Sequence, residues 1–252
     1  MEAAEDFLSV RDISKSFGGV KALDRVSFTA GKKEILGIIG VNGSGKSTLV
    51  NALTGFVRPD SGQIRFKGKY ISAWPPHKIA QLGITRTFQT VRPFHHLPAF
   101  KNLIVPLYSS RIRRFTTSGQ WGDRDGVALD LLEEVGFERD SSVPYKAAST
   151  LPHGYLRRLE LARCLALKPE VIIFDEIFSG LSSSEAASVI PLIEKAHLSG
   201  IAIIMVEHRL RELFQLAGKV IVMDQGKKIA EGTPREIMED AKVKEVYLGT
   251  EL

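Results

Sequence analysis

The run Gly40-Val41-Asn42-Gly43-Ser44-Gly45-Lys46-Ser47-Thr48 constrains this chain more than any other stretch, because it satisfies the pattern G-x-x-x-x-G-K-[ST] in full. Such a loop gathers backbone N–H groups around an anion, and glycine is needed wherever a Cβ would block that approach. Gly40, Gly43 and Gly45 meet the need, with Asn42 and Ser44 between them. Lys46 supplies a point charge for nucleotide phosphates, and the Ser47 hydroxyl suits a Mg2+ ion bridging them. Residues 34–39 before the loop read as a buried strand, and residues 47–54 after it as a helix stopped at Gly55. That order aims a helix N-terminus at the anion, which is the strand–loop–helix corner of an α/β sheet.

With 252 residues and 44% hydrophobic side chains, the chain can build a sizeable core. Its longest apolar stretches, such as 201–206, are strand-length and far short of the about 20 residues that a membrane helix needs. No bilayer-spanning segment is expected. The acidic residues 1–6 do not resemble a secretory signal, so the expected compartment is the cytosol. One cysteine, Cys164, sits in an apolar helical run and reads as a small core residue in a reducing environment. The formal charge of +5 is dispersed. Its dense spots, Arg111-Ile112-Arg113-Arg114 and Arg157-Arg158, lack interleaved aromatics, so no nucleic-acid partner is expected. Residues 111–114 read as a solvated loop suited to an anionic membrane surface.

Short runs at 7–10, 26–29 and 63–66 surround the glycine-rich loop and read as antiparallel strands. Runs at 171–174, 201–206 and 220–223 are continuously apolar, as in parallel strands covered on both faces. Between Val91 and Thr150 the texture turns to helix and loop. Asp125 to Val135 has helical spacing in Val127, Leu131, Leu132 and Val135, and residues 115–120 are a candidate flexible stretch. The whole predicts a helical insertion into an α/β nucleotide-binding domain.

A second constellation follows the strand at 171–174. Its C-terminal end delivers Asp175 and Glu176, and ligands of open α/β sheets bind at that end. Asp175 suits holding Mg2+ through its water shell, and Glu176 suits polarising a water for in-line attack on a γ-phosphate. Gln89, after Thr85-Arg86-Thr87-Phe88, is expected to end a strand and to sense both the metal and the water. His208, after Met205-Val206-Glu207, is expected to end another and to bond a γ-phosphate oxygen or position the water.

Taken in order, these motifs resemble the nucleotide-binding subunit of an ATP-binding-cassette (ABC) transporter. The resemblance spans nearly the whole chain: an adenine-stacking Phe17, the Walker A loop at 40–48, the Q-loop glutamine Gln89, a signature region before Arg157-Arg158, Walker B at 171–176 and the switch His208. Within that family, segments 17–23, 159–163, 206–210 and 230–249 are similar to the branched-chain amino acid importer branch, and urea and short-amide importers share much of this wording. The resemblance implies a P-loop NTPase fold of the ABC ATPase type: a RecA-like core (1–90 and 156–232) with an N-terminal antiparallel β-subdomain, a helical subdomain carrying the signature (91–155) and a C-terminal extension (233–252). It implies ATP and Mg2+ as ligands, with Ser47, Gln89 and Asp175 on the metal side. It implies Glu176, His208 and Gln89 as catalytic groups, Phe17 and 40–48 on the nucleotide, and Gly154 on a partner's nucleotide.

The family also implies partners: a second ABC subunit, a different chain joined head to tail, transmembrane permease subunits, and indirectly a periplasmic or extracellular solute-binding protein. The chain would sit peripherally on the cytoplasmic face of the membrane. Motion would pass through a groove near Gln89 and residues 91–103, with Phe94, Leu97 and Phe100 as its apolar part. The departures are informative. The usual Leu-Ser-Gly-Gly-Gln stands here as Leu151-Pro152-His153-Gly154-Tyr155, and Pro152 removes a hydroxyl and a backbone N–H. Ile177 replaces a proline, and Ser182 stands where an Asp or Asn is usual. Two other readings stay open: a low-turnover regulatory subunit of a heterodimer, and a soluble ABC ATPase outside transport.

Overall fold

Two sheets carry the strands, and the direction of each ladder follows from its connections. The computed structural model describes residues 7–113 and 123–248. In it, β1 (Leu8–Phe17) and β2 (Val20–Ala30) form a hairpin whose two turn residues, Gly18 and Gly19, both have positive φ (51° and 87°), as a tight turn matching strand twist requires. The chain then enters the second sheet at β3 (Ile35–Gly40) and returns to the first with β4 (Ser61–Phe66) and β5 (Lys69–Tyr70). The first sheet has the order β2-β1-β4-β5 and is antiparallel throughout. The remaining strands are β6 (Ile84–Arg86), β7 (Val171–Asp175), β8 (Ala202–Val206), β9 (Lys219–Asp224) and β10 (Lys227–Gly232). They join β3 in the order β10-β9-β3-β8-β7-β6, parallel except for β10.

Helices α1 (Lys46–Leu53) and α2 (Pro76–Leu82) precede β6. Between β6 and β7 run α3 (Ile104–Leu107), α4 (Ser110–Arg113), α5 (Arg124–Glu134) and α6 (His153–Leu165). Later helices are α7 (Ser183–Leu198), α8 (Leu210–Leu216), α9 (Pro234–Glu239) and α10 (Ala241–Leu248). None of the described helices is long and apolar enough to cross a membrane.

The continuous apolar runs of the central strands are explained by what lies on their two faces. In β7, Ile172 and Phe174 face a core built with Leu103, Leu132 and Phe137 of the helical region, while Val171 and Ile173 face a second core shared with Phe28, Leu49 and Phe66. The alternation repeats in β8, with Ile203 and Met205 on one side and Ile204 and Val206 on the other. Each such side chain contributes about 1.5–3 kcal/mol of burial, so a polar substitution on either face would expose one of two cores. The insertion thus shares the sheet's own core, and α6 runs unbroken across the expected boundary between residues 155 and 156.

Two expectations are corrected. Residues 111–113 are not a solvated loop: they belong to α4, and Arg111 is buried, its guanidinium donating to the carbonyls of Leu167, Lys168 and Gln81. Those carbonyls sit at a helix end and need donors, which explains why a cation is drawn inward. Val127 of α5 faces solvent, and Ala128 takes the buried position in its place. Ser182 is the N-cap of α7, in a capping box with Glu185. Cys164 is a core residue as expected, its thiol pushed up to about 12 by burial. Residues 1–6, 114–120 and 249, on which other expectations fell, lie outside the described residues.

Candidate nucleotide site

The loop between β3 and α1 turns so tightly that two of its glycines admit no side chain. At Gly40 (φ +156°) a Cβ would meet the carbonyl oxygen of Met223 at 2.2 Å, and at Gly45 (φ +100°) that of Ala22 at 2.4 Å. Gly45 is also the N-cap of α1, and no side chain caps this helix, so its first N–H groups remain for an anion. Lys46 is buried, and its Nζ donates to the carbonyls of Gly40 at 2.7 Å and Val41 at 2.9 Å. Burial lowers its pKa, while the nearby charges of Glu176 and Asp175 raise it. A cleft of about 630 Å³ opens over this loop, walled by residues 42–48, by Val20, Lys21 and Ala22 at the end of the β1–β2 hairpin, and by Gln89, Glu176 and His208. Phe17 pairs with Val20 across the hairpin, half-exposed, and is not part of that wall.

Because β6, β7 and β8 are parallel neighbours, the segments leaving their C-terminal ends converge. Glu176 lies one residue beyond β7 with φ +54°, a left-handed conformation that costs a non-glycine residue about 1–3 kcal/mol. Its N–H donates to Val206 O at 2.8 Å, which holds the strained peptide in place. Its carboxylate accepts from Gln89 Nε2 at 2.9 Å on one oxygen and from His208 Nε2 at 3.1 Å on the other. Neither partner ends a strand, contrary to expectation. β6 stops at Arg86 and β8 at Val206, so Gln89 and His208 stand on loops, free of the ladder and able to turn toward one carboxylate. The buried Glu207 accepts the N–H groups of Phe178 and Ile177, fixing the loop after Glu176; burial pushes its pKa up to about 8. Ile177, having an N–H where proline has none, uses it here.

Asp175 lies at the end of β7, and one of its oxygens is paired with Arg86 Nη2 at 2.7 Å. Burial raises its pKa and Arg86 opposes that. With Ser47 it offers oxygen donors, the kind Mg2+ takes. A second buried pair, Arg157 and Glu160 one turn apart on α6, clamps the Gln89 loop. Glu160 accepts the Phe88 N–H at 2.8 Å, and Arg157 donates to Phe88 O and Gln89 O at 2.9 Å and to Ser179 O at 3.2 Å. Sequence reading missed Arg86, Arg157, Glu160 and Glu207. The signal was present for one pair: charged residues three apart inside the apolar frame of Leu156, Leu159 and Leu161.

A glycine-rich phosphate loop beside a carboxylate held between a glutamine and a histidine is the arrangement of a nucleotide hydrolase, and comparison with known proteins assigns it. The family described as ABC transporter matches residues 23–179. The chain belongs to that family. Its members hydrolyse ATP, and this chain is an ATPase of that kind. A family described as branched-chain amino acid ATP-binding cassette transporter matches residues 227–252. The chain is 34% identical to the high-affinity branched-chain amino acid transport ATP-binding protein BraF of Pseudomonas aeruginosa, covering 96% of this chain and 97% of BraF. It is also 34% identical to the lipopolysaccharide export system ATP-binding protein LptB of Haemophilus influenzae, over 96% of this chain and 97% of LptB. Among solved structures, the ADP conformation of the ABC transporter cassette MJ1267 superposes with a TM-score of 0.83 at 32% identity, covering 96% of this chain and 98% of that one.

The cassette's signature segment lies apart from its own phosphate loop, at the start of α6. Pro152 is the N-cap, with no side-chain cap bond. His153 Nε2 lies 3.2 Å from Ser179 O and fills the space over Gly180, where a Cβ would stand 3.0 Å from it. Glu185 crowds Gly154, accepting its N–H. The ring of Tyr155 packs edge-on against Phe137 at 5.0 Å. A groove of about 530 Å³ runs between the core and the helical region, and its apolar lining includes Phe56, Phe88, Val105 and Pro106. Phe94, Leu97 and Phe100 are not in it. Phe100 stacks edge-on against Tyr145, and Phe94 lies over the Arg163 guanidinium outside that lining.

Proposed function

We propose that this cassette powers uptake of branched-chain amino acids or a similar small solute, working as one of two unlike ABC subunits. The observation that carries the reading is the Glu176 carboxylate, held by Gln89 and His208 at the mouth of a complete phosphate loop. Glu176 takes the proton of a water whose oxygen attacks the γ-phosphorus, the bond to the β–γ bridging oxygen breaks, and ADP leaves. His208 and Gln89 orient that water, Lys46 and residues 40–45 hold the phosphates, and Thr48 borders the phosphate cradle. Bound Mg2+, held by Ser47 and Asp175 with Gln89 beside it, would neutralise charge on the β- and γ-phosphates. The solute class rests on the match over residues 227–252 and on BraF. The likeness to LptB favours an alternative, a cassette serving export. One hydrophobic cluster draws on all three parts, so core (1–90 and 156–232), helical subdomain (91–155) and extension (233–252) are proposed as parts of one cassette.

The subunit sits on the cytoplasmic face of the membrane, with permease helices in the groove lined by Phe56 and Phe88. In the head-to-tail dimer, Gly154 meets the partner's nucleotide. Pro152 offers no donor there and Glu185 adds negative charge, so the charge that develops on the γ-phosphate is poorly stabilised and ATP at that site stays unhydrolysed longer, while the site using this chain's phosphate loop turns over. Weak ATPase activity is therefore expected from the isolated chain, with a clear gain when Pro152→Ser restores a hydroxyl, read by phosphate release. Tyr155→Gln adds nothing and lowers stability, since it removes the ring from Phe137. Brisk wild-type hydrolysis, unchanged by Pro152→Ser, would overturn the asymmetry. Accumulation of labelled leucine in cells expressing the cassette with its co-encoded permease tests the solute.

Phe17→Ala is expected to weaken ATP and GTP binding alike, by about 1–3 kcal/mol, because an aromatic ring reads a base by its π-face. Equilibrium titration with both nucleotides checks this. Unchanged affinity for both would move the base contact to Val20 and Ala22 on the cleft wall.

A further inference from the structure

The groove and the carboxylate at the end of β7 meet at one side chain. Arg86 is almost fully buried, and its guanidinium is divided among several elements. Nη2 donates to Asp175 Oδ2 at 2.7 Å, while Nη1 donates to Asn51 Oδ1 at 2.7 Å and Thr54 Oγ1 at 3.1 Å around the end of α1. The same guanidinium lies 4.6 Å from the centre of the Phe88 ring and 5.4 Å from that of Phe56, and the two rings meet edge-on at 5.9 Å. Both rings line the groove, and Phe56 is 54% exposed there. Arg86 therefore has one edge on the Asp175 carboxylate and the other on the end of α1, while its central carbon lies over the two rings of the aromatic floor on which a docked helix would press.

We propose that Arg86 is a positioning residue through which occupancy of the groove sets the orientation of Asp175, and with it the Mg2+-dependent share of ATP affinity. This deepens the reading of Asp175 as the metal-side carboxylate and rests on it. The argument is one of rigidity. A guanidinium is a planar fork whose donors keep fixed relative directions, so a shift imposed on the plane by the rings moves the edge on Asp175 as well. The backbone of Asp175 is pinned, its N–H donating to Thr87 Oγ1 at 3.2 Å, which leaves rotation of the carboxylate as its remaining freedom. Arg86 governs that rotation by holding Oδ2, so Oδ1 is the oxygen presented to the metal's water shell. The pair is sheltered, with side chains 9% and 8% exposed, so water cannot replace the lost partner without opening the site.

The test measures affinity of the full chain for a non-hydrolysable ATP analogue, once in Mg2+ and once in EDTA. Their ratio is the Mg2+-dependent gain. Arg86→Met is expected to reduce the gain at least fivefold while affinity in EDTA stays within twofold of wild type. Arg86→Lys keeps the charge without the fork and should recover part of the gain. Phe56→Ala and Phe88→Leu, on the groove side, should each reduce it by a smaller factor, and neither should add to Arg86→Met, because they act through it. A wild-type gain in folded Arg86→Met, or ring variants that leave the gain untouched, would overturn the proposal. Circular dichroism checks folding; should the Met variant unfold, the Lys and ring variants decide by the same ratio. Absence of any gain in wild type would instead remove the Mg2+ reading of Asp175, and the proposal with it.

Discussion

Glu176→Gln is expected to retain ATP binding and lose hydrolysis by about 10²–10⁴-fold, the range that removing a general base costs. The amide keeps the shape of the side chain, and its oxygen still accepts one of the bonds now given by Gln89 and His208. What it cannot do is take the proton from the attacking water. Because ATP binding survives, the nucleotide-bound state should accumulate, visible as a larger, faster-sedimenting species when ATP is added with the partner subunit present. The strain at this residue sharpens the expectation: a peptide held at φ +54° by its N–H bond to Val206 O is a fixed feature of the site, and replacement of the side chain by a near-isostere leaves the backbone undisturbed. Turnover is read as phosphate release at saturating ATP. Near-normal turnover would mean that the water is activated elsewhere, with His208 the next group to vary.

Much of this site was legible because its chemistry depends on local runs. The phosphate loop needs glycines at fixed spacing within one short run, and β7 needs four apolar residues before its acids, so both could be read from residues 40–48 and 171–176. Gln89 and His208 were found, though on strands that end sooner, since the ladder stops where side chains must turn into the cleft. The groups that brace the site were not legible. Arg86, Arg157 and Glu207 act on segments far away in the chain, and their meaning appears only when β6, β7 and β8 lie side by side. Burial of Arg111 was missed for the same reason: a cation beside others reads as surface until the carbonyls that need it come into view. Tyr155 stands where the signature has a glutamine, and its packing role appears only when Phe137 comes beside it.

Lys46→Ala should remove productive ATP binding, with a loss of about 2–5 kcal/mol, the size expected when one member of a buried charge pair is truncated. In tenfold steps of 1.4 kcal/mol, that is roughly 30-fold to several-thousand-fold in affinity. The ammonium is buried and lies across the loop on the carbonyls of Gly40 and Val41, at the point where phosphate oxygens would replace those carbonyls. Lining of the cleft by residues 42–48 offers backbone N–H groups and hydroxyls but no second cation that deep; Lys21 stands at the hairpin end, half outside. The loss should therefore track phosphate count. ATP and ADP should weaken strongly and AMP hardly at all, since AMP lacks the phosphates that Lys46 meets. Titration of the three nucleotides, with thermal melts to confirm that α1 still forms, separates this outcome from simple misfolding. Equal losses for AMP and ATP would place Lys46 in a structural role, and unchanged ATP affinity would sink the assignment of the phosphate loop.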